Sequence, residues 1–173
     1  MFERYMLDLD AYVKRVRSGL CFVCKIVARD PAFPDHRIVY EDEGAIFFLA
    51  MNPTQYGYTL VAPKEHKEQV AGDFTVEEYL GLQRVVHRVA EAVRAEVGAE
   101  RVYILSLGSN QGNAHVHWHV VPLPPDTPYA EQQFAAVMLE TAGALKIPDR
   151  EKAALAARVG QRMDRSQVDL ARR

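Results

Sequence analysis

Residues 115–121 read His-Val-His-Trp-His-Val-Val, and no other stretch of the chain limits its fold so tightly. Side chains alternate across a β-strand, so an extended run puts His115, His117 and His119 on one face. Val116, Trp118 and Val120 then point the other way, into what must be a core. Three imidazoles in a row suit two kinds of chemistry. Alternate strand residues can ligate one metal ion, or a neutral imidazole can attack phosphorus while its neighbours hold its tautomer or stabilise phosphoryl oxygens. The loop just before, residues 108–113, offers backbone amides with hydroxyl and carboxamide donors. Such a loop suits an anionic phosphate and tips the balance towards phosphate chemistry.

The rest of the chain supplies partners for that strand. Residues 37–41 (RIVYE) and 45–50 (AIFFLA) are β-branched and aromatic runs split by Asp42-Glu43-Gly44, a hairpin signal. A turn region at 52–57 leads to a third strand, 58–63, whose end at Pro63 suits a strand terminus. Thr75 and Glu78 make a capping box, and Leu82, Val85, Val86, Val89, Ala90 and Val93 keep a helical period until Gly98 stops it. Strands follow over 101–107 and 115–122. Helices are predicted over 6–17, 129–144 and 149–164. Three strands, one long helix and two more strands predict an α+β fold with an antiparallel meander, since the early hairpin spacing leaves no room for parallel crossovers.

Composition narrows the class. The 173 residues amount to about one domain, long enough to bury a core without disulfides. With 21 basic and 23 acidic side chains, the formal charge of -2 supplies no field for wrapping nucleic acid. No apolar run approaches the roughly 20 residues that span a bilayer. The first residues, MFERYMLDLDAYVKRVR, are charged throughout and unlike a signal peptide. The expectation is a cytoplasmic protein with neither a nucleic-acid nor a membrane partner. The two cysteines, Cys21 and Cys24, form a C-x-x-C that reads equally as a redox pair, half of a zinc site or coincidence.

The motif at 115–121 matches the H-φ-H-φ-H-φ-φ signature of the histidine-triad (HIT) nucleotide-binding family. Two upstream segments agree: residues 39–43 before an aromatic strand, and residues 59–66, TLVAPKEH. The resemblance covers about residues 20–124. It implies a HIT-like fold with an antiparallel sheet of about five strands, one long helix and extra C-terminal helices. It divides the chain into an N-terminal helix (1–19), a HIT domain (20–125) and a C-terminal helical extension (126–173). The implied activity is that of a nucleoside-phosphate hydrolase or nucleotidyl transferase, acting at an α-phosphate through a covalent nucleotidyl-histidine. The alternative is a protein that binds a nucleotide or phosphometabolite with little turnover. The implied partners are a nucleotide-like phosphorylated small molecule and a second copy of the chain, as a homodimer.

Residue by residue, the resemblance makes His117 the nucleophile and puts His119 on the phosphate oxygens. Ser106, Ser109 and Asn113 are expected near the leaving group or the non-bridging oxygens. Nucleoside-binding members carry a ribose-gripping acid or amide eight residues before a histidine that is Tyr58 here. Counting back from Tyr58 lands on Ala50, so Asn52, two residues on, is the expected substitute. Family members with an early C-x-x-C, and the related hexose-phosphate uridylyltransferases, imply one structural zinc per chain. Its ligands here would be Cys21, Cys24, His66 and His115. His36 and His87 read as solvated or packed histidines.

Overall fold

A computed structural model describes residues 2–31, 38–108 and 113–170. Its centre is a five-stranded antiparallel sheet built from β2 (Ile38–Glu41), β3 (Ala45–Leu49), β4 (Thr59–Pro63), β5 (Arg101–Ser106) and β6 (Trp118–Leu123). A further strand, β1 (Arg4–Tyr5), lies outside it, and the sheet order is β2-β3-β4-β6-β5. The Asp42 carboxylate closes the β2–β3 hairpin by accepting from the backbone N–H groups of Gly44 and Ala45, at 3.0 and 2.8 Å. The long helix α3 (Val76–Val97) joins β4 to β5; the shorter α1 (Leu9–Ser18) and α2 (Phe22–Val27) precede the sheet. Thr75 and Glu78 cap α3 reciprocally, and Gly98 ends it at φ 66°, a left-handed conformation that suits a residue without Cβ. The expected α+β architecture is therefore present, with helices again after β6. Among the described residues no helix is long and apolar enough to cross a membrane.

Strand alternation sorts the core into two. Phe47, Leu49, Val61, Trp118 and Val120 face α3 and the last helix of the chain, which spans Asp149–Leu170, and meet Val86, Val89, Leu155, Val159 and Met163. Ile46, Phe48, Ala50, Leu60 and Val121 face the other way and meet Val23 and Ile26 of α2. The last helix comes unusually near the sheet at Gly160, where a Cβ would lie 2.7 Å from the carbonyl oxygen of Val39. Burial at both side-chain faces of the central strands is what holds these elements, and α1, with no buried residue, depends on its Asp8 cap and tertiary neighbours instead.

Four expectations are corrected. The histidine strand does not run over 115–122; its ladder begins at Trp118. Continuing the register Val61↔Trp118 would set Val116 opposite Pro63, which has no N–H to give. The N–H of Val116 instead donates to the Lys67 carbonyl at 2.7 Å. The alternation survives all the same: Val116 and Trp118 are in the core and the histidines face away from it. The single helix predicted over 129–144 is broken into a turn of 3-10 helix at Tyr129–Glu131, the one-turn helices α4 (Phe134–Val137) and α5 (Leu139–Ala142), and β7 (Ala144–Leu145). Gln133 and Gly143 interrupt it at φ 55° and 63°. Strand β7 pairs with β1, and the Leu145 N–H donates to the Pro53 carbonyl at 2.7 Å. Those long-range bonds outweigh the segment's helix propensity, a preference that tertiary context readily overrides. At the N-terminus the helix predicted over 6–17 is accordingly preceded by β1. The last helix, α6 (Asp149–Leu170), runs beyond the predicted end at 164.

Candidate functional site

Helix α2 explains why the cysteines are spaced as they are. Cys21 is its N-cap, and its sulfur accepts from the Cys24 N–H at 3.4 Å. One turn of helix puts both sulfurs on the same side. His115, fully buried, and His66, at the surface after β4, meet them there. Cys21 Sγ lies 3.3 Å and Cys24 Sγ 3.6 Å from His115 Nδ1, and Cys24 Sγ lies 3.3 Å from His66 Nδ1. The four ligand atoms all fall within 4.8 Å of one another.

These residues fit a metal ion on three grounds. Two thiols and two imidazoles are a donor set for a closed tetrahedral shell. Bonds of about 2.0–2.3 Å in that geometry separate ligand atoms by about 3.3–3.8 Å, the range of the three distances above. Each imidazole also gives its outer nitrogen to an oxygen: His115 Nε2 donates to the Pro63 carbonyl at 2.9 Å, and His66 Nε2 lies 3.0 Å from Glu68 Oε1. That leaves both Nδ1 atoms bare and aimed at the thiols. Burial, then the hydrogen bond and charge of Cys21, push the Cys24 thiol up to about 11, so a cation is what would bring that sulfur to thiolate.

His117 and His119 occupy the same face one and two strand repeats further on. The Nδ1–H of His117 donates to the carbonyl of His115 at 2.7 Å, so its Nε2 carries the free lone pair. Burial lowers its pKa, which keeps the ring neutral. The His119 ring lies beside it, 4.8 Å away centroid to centroid and tilted by 56°. Burial first, then the neighbouring His117, hold His119 down to about 3. Both rings line a cavity of about 900 Å³, walled by Phe48, Ala50 and Leu60 of the sheet and by Tyr12 and Arg15 of α1. Phe22 of α2 meets His117 edge-on at 5.6 Å. A neutral nucleophilic nitrogen beside a second imidazole, in a largely apolar pocket, is an arrangement able to attack an electrophilic phosphorus.

The remaining expected residues are placed unevenly. Asn52 lines the cavity, but its Oδ1 accepts from the Tyr5 hydroxyl at 2.9 Å. Asn113 lines it too, at φ 49°, with Nδ2 donating to the Tyr12 hydroxyl at 3.1 Å. Ser106 is not among the lining residues; its hydroxyl donates to the His117 carbonyl at 2.9 Å and steadies the backbone that carries the ring. Ser109 and His36 lie outside the described residues. His87 is exposed on α3. Sequence reasoning missed Phe22, Tyr12 and Arg15, which reach the cavity only through the packing of α1 and α2. It also missed the contact of Tyr58 with His119 at 2.7 Å. A signal for Tyr58 existed: it falls on the same strand face as Ala50 and Leu60.

Comparison with known proteins agrees with this geometry. The HIT domain family model matches residues 34–126. An uncharacterized HIT-like protein of Borreliella burgdorferi is 33% identical over 106 residues, covering 59% of this chain and 74% of that protein. An adenosine 5'-monophosphoramidase of Schizosaccharomyces pombe is 27% identical over 139 residues, covering 73% and 98%. Among solved structures, a Zn-bound histidine triad family protein from Mycobacterium smegmatis superposes with a TM-score of 0.64 at 27% identity, covering 84% of this chain and 96% of that one.

Proposed function

The chain belongs to the HIT family, and from that premise we propose that it is a nucleoside-phosphate hydrolase or nucleotidyl transferase. The family includes hydrolases such as the monophosphoramidase to which this chain is similar. The observation that carries the reading is the 2.7 Å bond from His117 Nδ1–H to the His115 carbonyl, which leaves Nε2 as a bare nucleophile inside the cavity. In the proposed first step Nε2 bonds to the α-phosphorus and the bond to the leaving group breaks, giving a nucleotidyl-histidine. The ring gains positive charge as it does so, and the carbonyl already held at Nδ1–H stabilises that charge. Water or another acceptor then displaces His117. His119 serves the phosphoryl oxygens, Ser106 holds the His117 backbone, and Asn52, Asn113 and Ser109 attend the substrate's outer groups.

The four ligands Cys21, Cys24, His66 and His115 would hold one structural zinc. Their spacing and outer hydrogen bonds support it, as does the zinc in the mycobacterial relative. That ion would tie α2 and the segment after β4 to the residue two before the nucleophile, fixing where His117 stands. A homodimer through the outer edge of β5 is supported by Ile104, which is 46% exposed on that edge strand.

The test is release of nucleoside monophosphate from a panel of adenosine and guanosine phosphoramidates, dinucleoside polyphosphates and nucleotide sugars, with wild type beside His117→Asn. Turnover that vanishes in the variant is expected. Uniform silence from folded wild type that still binds nucleotide would overturn the enzymatic reading and leave a binding protein.

A further inference from the structure

We infer that Tyr58 is a positioning residue: its hydroxyl donates to Nδ1 of His119 and so holds that ring, which lines the cavity, in the tautomer with its proton on Nε2. The inference rests on the triad reading above and adds to it a residue that decides where one proton sits. Its ground is a 2.7 Å contact between the Tyr58 hydroxyl and His119 Nδ1, in which either group could in principle donate. Two further facts separate the alternatives. Tyr58 is 7% exposed, and among the described residues its hydroxyl has no other hydrogen-bond partner. His119 Nε2 is itself buried and has no partner among the described residues.

If Nδ1–H donated to the phenol, the buried hydroxyl hydrogen would have no acceptor. The bare Nε2 would then turn a lone pair towards an anionic phosphate. If the phenol donates, its hydrogen has an acceptor, and the one orphan left is a buried Nε2–H, a donor that a phosphoryl oxygen would satisfy. Ionisation offers no third state. Burial raises the Tyr58 phenol above its ordinary range, and burial with the neighbouring His117 lowers His119.

The backbone explains why this pair meets. His119 is registered with Leu60, and Tyr58 lies two residues from Leu60 on the same face of the sheet, as its diagonal neighbour. Only a long side chain spans a diagonal of this kind. The Tyr58 backbone is held at both ends: its carbonyl accepts from the Ala50 N–H at 2.9 Å and its N–H donates to the Gln55 carbonyl at 3.2 Å. The two adjacent imidazoles are thereby set in opposite tautomers. A carbonyl accepts from Nδ1 of His117 and leaves its Nε2 bare to attack; a hydroxyl donates to Nδ1 of His119 and leaves its Nε2 protonated to hold a phosphoryl oxygen.

The experiment reads the proton directly, by two-bond proton–nitrogen NMR of the 15N-labelled full chain at neutral pH. His119 is expected as the Nε2–H tautomer and His117 as Nδ1–H. In Tyr58→Phe, His119 loses that preference while His117 keeps its own. With adenosine 5'-phosphoramidate as substrate, kcat is expected to fall about tenfold while KM stays within about threefold, as for a group that acts mainly in the transition state. A wild-type His119 protonated at Nδ1 overturns the inference, and this spectrum decides alone if Tyr58→Phe does not fold. A Tyr58→Phe protein with the wild-type tautomer, or with a shifted tautomer and unchanged kcat, overturns it as well. The spectra need no substrate, so failure of the proposed reaction would show separately, as absent turnover beside an intact tautomer pattern.

Discussion

The two faces of the central sheet are cut from the same strands and are finished very differently. On the helix face, Phe47, Val61, Trp118 and Val120 meet α3 and α6 with fully apolar packing, and the polar groups sit at its margin, where Glu96 of α3 accepts from Arg158 and Arg162 of α6. On the other face the same strands present Phe48, Ala50 and Leu60 beside His117 and His119, and the covering elements stand back to leave a cavity. Only short pieces cover that side: α1 buries no residue, α2 is six residues long, and α4 and α5 are single turns. One face stabilises the sheet so that the other can keep buried imidazoles and open space, both of which cost stability.

If that division of labour is right, damage to each face has a different readout. The largest effect is expected at the site. His117→Asn should lower turnover on the order of 10³-fold or more while moving the unfolding midpoint less than a core truncation does, since a nucleophile is removed and the edge contact with Phe22 is the main packing lost. Steady-state rates and a urea titration on the same preparation check this. Phe47→Ala on the helix face should do the reverse: about 3–5 kcal/mol of stability lost, with the folded fraction still turning over. A variant that lost both together would break the comparison.

The group of Cys21, Cys24, His66 and His115 sharpens it, because these residues bridge the two kinds of element. Cys21→Ser should abolish the proposed zinc, read by metal analysis, and lower activity about 10–100-fold by loosening the backbone that carries His117. If instead all three triad histidines held the ion, the metal would persist in that variant. The smallest effect belongs to the margin of the helix face. Glu96→Gln should cost about 0.5–1 kcal/mol at neutral pH, the ordinary worth of a partly exposed ion-pair network. The hydrogen bond from Arg162 leads the causes that hold the Glu96 carboxyl below its usual value. Its contribution is therefore complete above the ordinary carboxylate range of about 4.3 and lost as pH falls through the depressed value, so the two proteins should converge in acid. Urea midpoints across that pH range check the sign.

Much of this was legible from local rules. The capping box at Thr75 and Glu78, the stop at Gly98 and the alternation through Val116, Trp118 and Val120 are each set by a few neighbouring residues, and each stands where it was expected. The C-terminal region shows the limit. Residues 129–144 have helical composition, yet they end as two single turns and a strand because Ala144 and Leu145 find β1 and Pro53, partners some 90 to 140 residues away. No local pattern encodes such a pairing.

The same line divides the site. The sequence by itself determined which side chains share a strand face and which two cysteines share a helix turn, because the periods of strand and helix are properties of the backbone. Only the tertiary structure decided which nitrogen of each histidine is free. That depends on what lies opposite: the Pro63 carbonyl for His115, the His115 carbonyl for His117 and the Tyr58 hydroxyl for His119. The first and last of those partners come from chain folded back in three dimensions, the second from the same segment two residues earlier. A ring carries its proton on a nitrogen that faces an acceptor and not on one that faces a donor.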